Sequence, residues 1–352
     1  MTARSPVSTS RRVPPGAVDA LAGQVARLFF DRQLSKIEIA DRLGMSRFRV
    51  ARLLDRALAD GIVRIEFRDT PARDRDLGRA VEQQFNVDAC IVATDSDDPQ
   101  GAAAQLAAEH VDGLLESRQA IGVAWGSTVA RVVVAMPARA DPTIDVVQLA
   151  GNSTAMGIGT GPGDTSRVLA ERLGGRAHAL HAPTFVENES LRAALAREPE
   201  IADTLAWFDR LSVAVIGIGA FVAGSGDMTT SSSSADAPPV LSRSWDPVAP
   251  RSSLLRSGAL LPDDLARLQT AGAVGDLLVH PFDVDGRFVA PELAARAIAI
   301  SITALRRVPH VVAVATGADK ALALRGALRS GIVRVLVTDA RAAADLLQAG
   351  RP

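Results

Sequence analysis

The sequence predicts an α/β protein in which a small N-terminal helix-turn-helix unit precedes a larger doubly wound domain. Two observations support this. Residues 34–67 combine helix caps, a turn glycine and four arginines within positions 47–56, and from residue 74 onward short apolar runs alternate with helical segments. A chain of 352 residues is long enough for two domains, and 47% hydrophobic with 22% charged residues is ordinary for a globular protein.

The chain is expected to begin with a disordered basic arm, residues 1–16, which is rich in Ser, Thr, Pro and Arg and lacks apolar periodicity. Residues 17–30 are predicted to form a helix that packs on the next two helices, and the whole DNA-binding domain to span 17–70. The apolar stripe of this first helix consists of Leu21, Val25, Leu28 and Phe29.

The first helix of the motif is predicted to start near Lys36, because Ser35 and Glu38 have the spacing of a capping box. Its expected apolar stripe consists of Ile37, Ala40 and Leu43. Gly44 follows where a tight turn requires a residue that tolerates positive φ. The segment therefore predicts a helix followed by a sharp turn.

The second helix is expected to start after Ser46, a good N-cap. Its inner face should consist of Val50, Leu53, Leu54, Ala57 and Leu58. Arginines occupy other positions, and arginine pairs bidentately with guanine when a recognition helix enters the major groove. A solvated basic helix in an ordinary helical domain is the alternative, but the caps, the turn and the following strand together favour DNA binding. The predicted DNA-binding residues are Ser35, Ser46, Arg47, Phe48, Arg49, Arg52 and Arg56.

Residues 62–67 alternate apolar and charged side chains, which predicts a half-buried strand after the second helix. Charge supports a nucleic-acid-binding role for this part of the chain. Residues 1–68 carry 13 basic and 7 acidic residues, a net charge of +6, whereas the remainder carries 26 and 33, a net charge of −7. A basic module on an acidic body is typical of a phosphate-binding unit attached to a regulatory domain.

The second domain, residues 74–352, is predicted to be a doubly wound α/β domain. Its expected strands are 89–93, 120–125, 144–149, 213–218, 276–280, 311–315 and 333–337. Its expected helices are 102–115, 165–173, 191–208, 294–307, 320–329 and 341–348. Antiparallel strands are expected near 276–288, where Asp-Gly favours a hairpin turn. The polar, low-complexity segment 222–253 is predicted to be a flexible insertion.

Several of the apolar runs end in glycine with polar residues close behind, as at Gly126, Gly151 and Gly317. In an open parallel sheet such loops line the ligand crevice, and glycines let backbone amides approach a phosphate. The sequence therefore predicts a site for a small anionic ligand. The candidate residues are Gly126, Ser127, Thr128, Gly151, Asn152, Gly317 and Lys320, one of only two lysines in the chain.

Other chemistry is not indicated. The motif at 157–163 resembles a dinucleotide fingerprint but lacks the strand-to-helix context, and the five histidines lack metal-ligand spacing. No cofactor, metal or catalytic residue is predicted. The single Cys90 cannot form an internal disulfide, and neither a membrane-length apolar run nor a secretory signal occurs. A cytoplasmic protein without a membrane partner is expected.

Beyond the arm, nearly the whole chain resembles the SorC family of sugar-responsive bacterial transcription regulators. The segments that carry the resemblance are LSKIEIADRLGMSRFRVARLLDRALADGIVRIEF, IGVAWGSTV, VVQLAGN, AVIGIGA, AGAVGDLLVHPFDVDG and VVAVATGADKALALRGALRSGIVRVLVTDARAAADLL. The resemblance implies a winged helix-turn-helix and a Rossmann-like effector domain similar to sugar-phosphate isomerases and deaminases.

The same resemblance implies a non-enzymatic regulator of a carbohydrate-catabolism operon, which binds operator DNA as a dimer or tetramer and responds to a phosphorylated sugar or polyol. It places the phosphate at Gly126, Ser127, Thr128 and Lys320, and it adds Asp276 to the effector pocket. Two alternatives remain at this stage. One is a sugar-phosphate isomerase-like enzyme that carries a nucleic-acid-binding module, and the other is a constitutive regulator whose pocket has decayed.

Overall fold

The computed structural model describes residues 15–30, 32–63, 71–153, 162–221 and 252–349, without 257 and 259. The chain divides into two compact units at the boundary between Asp69 and Thr70. In the described part of the chain, no helix has both the length and the apolar character needed to cross a membrane.

The first unit contains the predicted helix-turn-helix. Its helices are α1 Pro15–Phe30, α2 Lys36–Leu43 and α3 Arg47–Ala59. The capping box is present, because the Glu38 amide donates to Ser35 Oγ and the Ser35 amide donates to the Glu38 carboxylate at 2.8 Å. Gly44 ends α2 with φ 61°, in the left-handed region that favours glycine. The Ser46 hydroxyl then caps α3 by accepting from the Arg49 amide.

The core of this unit differs from the predicted stripes at two positions. On α2, Ile39 and Ala40 are buried, whereas Ile37 is 60% exposed. The rotation of α2 about its own axis turns Ile39, which was not in the predicted stripe, toward α1 and α3. On α3, Leu58 is 41% exposed, because the buried positions Val50 to Ala57 already complete an i, i+3, i+4, i+7 stripe.

The second unit consists of a sheet and its covering helices. Its described strands are β1 Ala89–Ala93, β2 Ala120–Val123, β3 Asp145–Gln148, β4 Arg176–His178, β5 Leu211–Ala220, β6 Gly275–Leu277, β7 His280–Phe282, β8 His310–Val314 and β9 Val335–Asp339. Its described helices are α4 Arg75–Phe85, α5 Pro99–Leu114, α6 Ser127–Ala135, α7 Pro162–Leu173, α8 Glu189–Leu195, α9 Pro199–Ala206, α10 Ser253–Arg256, α11 Pro262–Thr270, α12 Pro291–Ala295, α13 Ile302–Arg307, α14 Ala321–Arg329 and α15 Ala340–Ala349.

The sheet is mostly parallel, with strand order β1-β9-β8-β5-β2-β3-β4. From β2 the chain builds outward through β3 to β4, then returns to β5 and builds the other way through β8 to β9. The direction of winding therefore reverses between the adjacent strands β2 and β5. In open α/β sheets the crevice outside the carboxyl ends of such strands is where ligands bind.

Helices cover both faces of the sheet, as the doubly wound prediction requires. Successive residues of β5 point to opposite faces, so Val213 and Val215 belong to the core cluster that includes α5, α6 and α7, whereas Ala214 and Ile216 belong to the cluster that includes α14 and α15. Apolar residues occupy both faces of the central strands, which explains why these strands read as continuous apolar runs.

Several predicted elements are divided in the structure. Residues 276–280 belong to two antiparallel strands, β6 and β7, rather than one, and a bridge between Phe282 and Phe288 extends the predicted antiparallel region. The predicted helix 191–208 is split at Pro199, where α9 begins. The predicted helix 294–307 is α12 and α13, separated by bridging residues that include Ala297 and Ala299. The short polar edge strand β4 was not predicted.

Three predictions lie wholly or mostly outside the described residues. These are the basic arm 1–16, the strand or wing at 62–67, of which only Ile62 and Val63 are described, and the greater part of the insertion 222–253.

Candidate functional site

A cavity of about 530 Å³ lies at the point where the winding of the sheet reverses. The carboxyl-terminal ends of β2, β5 and β8 form its floor, and a volume of this size is typical of small-molecule sites. Five residues that the sequence analysis assigned to the ligand line this cavity: Gly126, Ser127, Thr128, Asp276 and Lys320. The structure thus brings together residues that are almost 200 positions apart in the sequence.

One wall of the cavity is the N-terminus of α6. Gly126 precedes the helix with φ 112° and ψ 156°, and no side chain caps the helix end. The first amides of a helix have no intrahelical acceptor, and the helix dipole adds partial positive charge at this end. With the hydroxyl groups of Ser127 and Thr128 beside these amides, this wall can donate several hydrogen bonds to an anion.

Two cationic side chains, Lys320 and Arg256, line the same cavity. Lys320 ends the 3-10 turn Ala318–Lys320, and its Nζ donates to the carbonyl oxygen of Ile218 at 2.9 Å. Arg256, at the end of α10, also lines the cavity, and its guanidinium donates to Ser253 Oγ at 3.3 Å. Both cations therefore border the same space as the α6 N-terminus, which favours an anionic ligand.

Asp276 is the acidic residue of this cavity, and it is buried. Its Oδ1 accepts a hydrogen bond from Ser252 Oγ at 2.5 Å. A methyl group at Gly219, its partner across the strand pair β5–β6, would collide with the carboxylate, so glycine makes room for it. Burial raises the pKa of Asp276 to about 7, although Ser252, Lys320 and Arg256 act in the opposite direction. Suppressed ionisation limits the repulsion between this carboxyl and an anionic ligand.

The free energy of unfolding should depend on pH through the titration of Asp276. Because its pKa rises from 3.8 to about 7 on folding, its favourable contribution is complete below pH 4 and is lost as the pH rises through 7. We expect the melting temperature of the unmodified chain, relative to Asp276→Asn, to fall as the pH rises from about 5 to 7 and to level off at higher pH. Melting curves at four pH values measure this, and a constant difference across the range would contradict the assignment.

The sequence analysis missed Ser252, which donates a hydrogen bond to Asp276, and Ser253 and Arg256, which line the cavity. It placed the first two at the end of the flexible insertion, and that boundary is wrong. Ser252 is fully buried, its hydroxyl also accepts from the Leu254 amide, and Leu254 is buried as well. The apolar pair Leu254-Leu255 was the available signal, since it ends the low-complexity composition.

Two predicted residues, Gly151 and Asn152, do not line this cavity. They belong to a buried network around Gln148, whose amide donates to the carbonyl oxygen of Ala150 at 2.7 Å and to Asn152 Oδ1 at 3.1 Å. The Gly151 amide is bonded to the carbonyl oxygen of Ile298. Because their polar groups already form hydrogen bonds within the chain, Gly151 and Asn152 hold the end of β3 to its neighbours.

Gly317 also lies outside the main cavity. It lines an adjoining one, of about 530 Å³, which shares Gln100 and Thr316 with the first. Its amide donates to Asp339 Oδ2 at 2.6 Å, so this N–H is not directed at a ligand. Gly317 therefore holds the start of the turn that carries Lys320 against Asp339.

Gly126 should be sensitive to the smallest substitution. Its backbone conformation is one that only glycine adopts readily, and an added Cβ would lie 2.9 Å from Ser253 Oγ. We expect Gly126→Ala to destabilise the chain by about 1–3 kcal/mol and to weaken ligand binding. Gly113→Ala is the matched control, because a Cβ there meets no atom within 4 Å and alanine favours the helix. Equal melting temperatures for the two variants would refute the strain at Gly126.

The exposed surface of α3 forms a second candidate site. Its first turns expose Arg47, Phe48, Arg49 and Arg52, while the side chains of the core stripe point inward. Three other predicted DNA-binding residues have partners inside the unit. Ser35 and Ser46 cap helices, and Arg56 Nε forms an ion pair with Asp60 at 2.9 Å.

A family model described as "Putative sugar-binding domain" matches residues 69–237 and 247–348 of this chain. These two segments contain every described residue that lines the main cavity. The nine residues 238–246 that the model leaves unmatched fall within the low-complexity segment.

Curated relatives match the chain almost from end to end. The erythritol catabolism regulatory protein EryD of Brucella abortus is 26% identical, over 96% of this chain and 98% of its own length. The deoxyribonucleoside regulator of Bacillus subtilis is 25% identical over 93% and 97%, and the sorbitol operon regulator of Klebsiella pneumoniae 25% identical over 92% and 96%. All three are named as regulators, and the enzyme alternative finds no support among them.

Solved structures agree with the fold. The full-length sorbitol operon regulator SorC from Klebsiella pneumoniae has a TM-score of 0.66 at 23% identity, covering 94% of this chain and 99% of its own. A domain of a possible sugar-binding transcriptional regulator from Arthrobacter aurescens has a TM-score of 0.64 at 25% identity, covering 81% and 100%. The chain belongs to the sugar-binding domain family and is a member of the SorC family of sugar-responsive bacterial transcription regulators.

Proposed function

We propose that this regulator binds the operator of a carbohydrate-catabolism operon through α3 and releases or tightens that contact when a phosphorylated sugar or polyol occupies the cavity. The observation that carries the proposal is the convergence of the α6 N-terminus, Lys320 and Arg256 on one cavity. A neutral sugar would leave these groups without a matching anion, whereas a phosphate ester gives them one.

The proposed binding mode divides the ligand between two ends of the cavity. The phosphate oxygens accept from the first-turn amides of α6 and from the hydroxyl groups of Ser127 and Thr128, with Lys320 as the counter-charge. Asp276, held by Ser252, is then available to hydrogen-bond a sugar hydroxyl in either protonation state. The cavity is large enough for a monosaccharide or short polyol with its phosphate.

The names of the relatives support this ligand class. Proteins of similar length and organisation are named for erythritol, sorbitol and deoxyribonucleosides, all polyhydroxylated compounds or derivatives of them. We extend this to the present chain as a proposal that its effector is a phosphorylated member of the same chemical class.

The DNA-binding half of the proposal rests on the exposed arginines of α3. A single helix-turn-helix buries only a modest area on DNA, so useful affinity requires two copies on neighbouring half-sites. We therefore propose a homo-oligomer, a dimer or a tetramer, in which the second unit sets the spacing between the reading helices. Effector binding would act by shifting the population of arrangements that fit the operator.

Thermal denaturation with matched ligand pairs tests the effector assignment. Each sugar or polyol is offered with and without its phosphate, at the same concentration, because a ligand of the folded state must raise the melting temperature. At 100 times its dissociation constant, a bound ligand stabilises by about 2.7 kcal/mol. We expect at least one phosphorylated compound to raise the melting temperature while its unphosphorylated partner does not. Equal shifts within every pair, or no shift at all, would overturn the phosphate assignment.

A further inference from the structure

The feature that the proposed function leaves unexplained is Phe48, the second residue of α3. Its side chain is 66% exposed, the largest value among the exposed large apolar residues of the described chain. The described core of the first unit does not include it, since Val50, Leu53, Leu54 and Ala57 are the buried residues of α3. Exposure of an aromatic ring to water is unfavourable, so a contact that covers the ring would yield binding free energy.

The surroundings of Phe48 indicate what kind of partner covers it. It lies between Arg47 and Arg49 and one helical turn before Arg52, so Phe48 and Arg52 share a face of α3. The guanidinium carbon of Arg47 lies 5.0 Å from the centre of the Phe48 ring, a cation–π arrangement that stacks the two side chains. An apolar ring surrounded by three arginines fits a polyanion that also offers an apolar group.

A second copy of this surface fits poorly. Two copies of α3 brought face to face around Phe48 would place Arg47, Arg49 and Arg52 against the same arginines, and like charges at close range oppose association. Duplex DNA has the complementary charge, and its major groove accepts an α-helix with the first turn against the base edges.

In the major groove the base edges consist of hydrogen-bond donors and acceptors, with one apolar exception, the C5 methyl group of thymine. Phenylalanine cannot hydrogen-bond but can pack on this methyl group. We propose that Phe48 contacts the C5 methyl of a thymine in the operator and thereby specifies that base pair. The inference rests on the proposed role of α3 as the DNA reader and adds the base class that one named side chain recognises.

The test uses a DNA site selected by the full-length chain from a pool of random duplexes. Each thymine of the selected site is replaced in turn by deoxyuridine, which removes only the methyl group, and the affinity is measured at fixed salt. We expect one thymine in each half-site at which deoxyuridine weakens binding about fourfold, the effect of losing one buried methyl-sized group. With Phe48→Ala, the same replacement should have no effect, although the variant still binds the site.

Two further variants isolate the contact. Phe48→Leu keeps an apolar side chain and should retain part of the difference between thymine and uracil. Ile37→Ala removes an apolar side chain of comparable exposure from α2 and should retain all of it. Because Phe48 is exposed, its substitution should leave the melting temperature unchanged.

The outcomes separate this inference from the proposed function. If no thymine is sensitive to loss of its methyl group, or if the sensitivity persists in Phe48→Ala, the inference is wrong, while selection of a specific site still supports α3 as the reader. If Phe48→Ala changes the oligomeric state instead, the ring belongs to a protein interface and the inference is also wrong. Failure to select any site would overturn the proposed function itself.

Discussion

Lys320→Ala is expected to abolish the response of operator binding to the effector at ligand concentrations that just saturate the unmodified chain. Lys320 is a cation that lines the cavity, and a hydrogen bond to a charged group contributes about 1.5–3 kcal/mol. The dissociation constant of the phosphorylated ligand should therefore rise by roughly 10- to 100-fold. Operator affinity without ligand should be unchanged, because the variant alters the cavity and not α3. Calorimetric titration of the ligand, followed by gel shifts with and without it, measures both quantities.

Two variants make the Lys320 result specific. Arg329→Ala removes a cation from the C-terminal end of α14, the helix that follows Lys320, where Arg329 forms an ion pair with Asp285 and does not line the cavity. It should respond to ligand normally. Lys320→Arg keeps the charge but not the geometry, so it should bind more weakly than the unmodified chain and more tightly than alanine. A normal ligand response in Lys320→Ala would remove this residue from the proposed site.

Arg49→Ala is expected to weaken operator binding by about tenfold or more, and Arg52→Ala should behave in the same way. Both side chains are exposed on the face of α3 that leaves the core, and a side chain that reads a base contributes about 1–3 kcal/mol of discrimination. Ligand binding and melting temperature should not change. The affinity is measured over a range of salt concentrations, so that loss of a phosphate contact, which lowers the salt dependence, is distinguished from loss of a base contact.

The matched control for the reading helix is Arg79→Ala, an exposed arginine on α4 in the second unit. It removes the same charge without touching α3 and should leave operator affinity within a factor of two of the unmodified chain. If Arg79→Ala weakens operator binding as much as Arg49→Ala, the loss of affinity results from the change in net charge and not from a contact made by α3. If Arg49→Ala and Arg52→Ala both bind normally, α3 is not the reader.

Local signals explain why the helix-turn-helix could be predicted. The Ser35–Glu38 box, Gly44 and Ser46 each act within four residues of their own position, and each is found in the predicted conformation. The strands of the second unit were also recognisable, because burial on both faces produces uninterrupted apolar runs. Gly126, Ser127, Thr128 and Lys320 followed from the topology, since parallel strands place their carboxyl ends at one edge, whereas Asp276 was implied only by the family resemblance.

The predictions that the structure contradicts concern contacts between elements, which local sequence signals do not determine. Whether Ile37 or Ile39 faces the core depends on how α2 is rotated against its neighbours, which four apolar residues in eight do not determine. Ser252 contacts Asp276, and Arg256 contacts Ser253 at the cavity wall, through hydrogen bonds that no periodicity encodes. Gly151 and Asn152 follow a strand as ligand loops do, yet Gln148 and Ile298 occupy their polar groups. Such outcomes depend on tertiary partners.

The central claim is that the cavity at the α6 N-terminus senses a phosphorylated ligand and thereby controls DNA binding by α3. The most direct measurement is operator affinity of the full-length chain, titrated with one sugar or polyol phosphate and with its unphosphorylated form, in parallel with Lys320→Ala. The account predicts that only the phosphorylated compound changes the affinity, and only when Lys320 is present. An equal change with the unphosphorylated compound, or an unaltered response in Lys320→Ala, would contradict it.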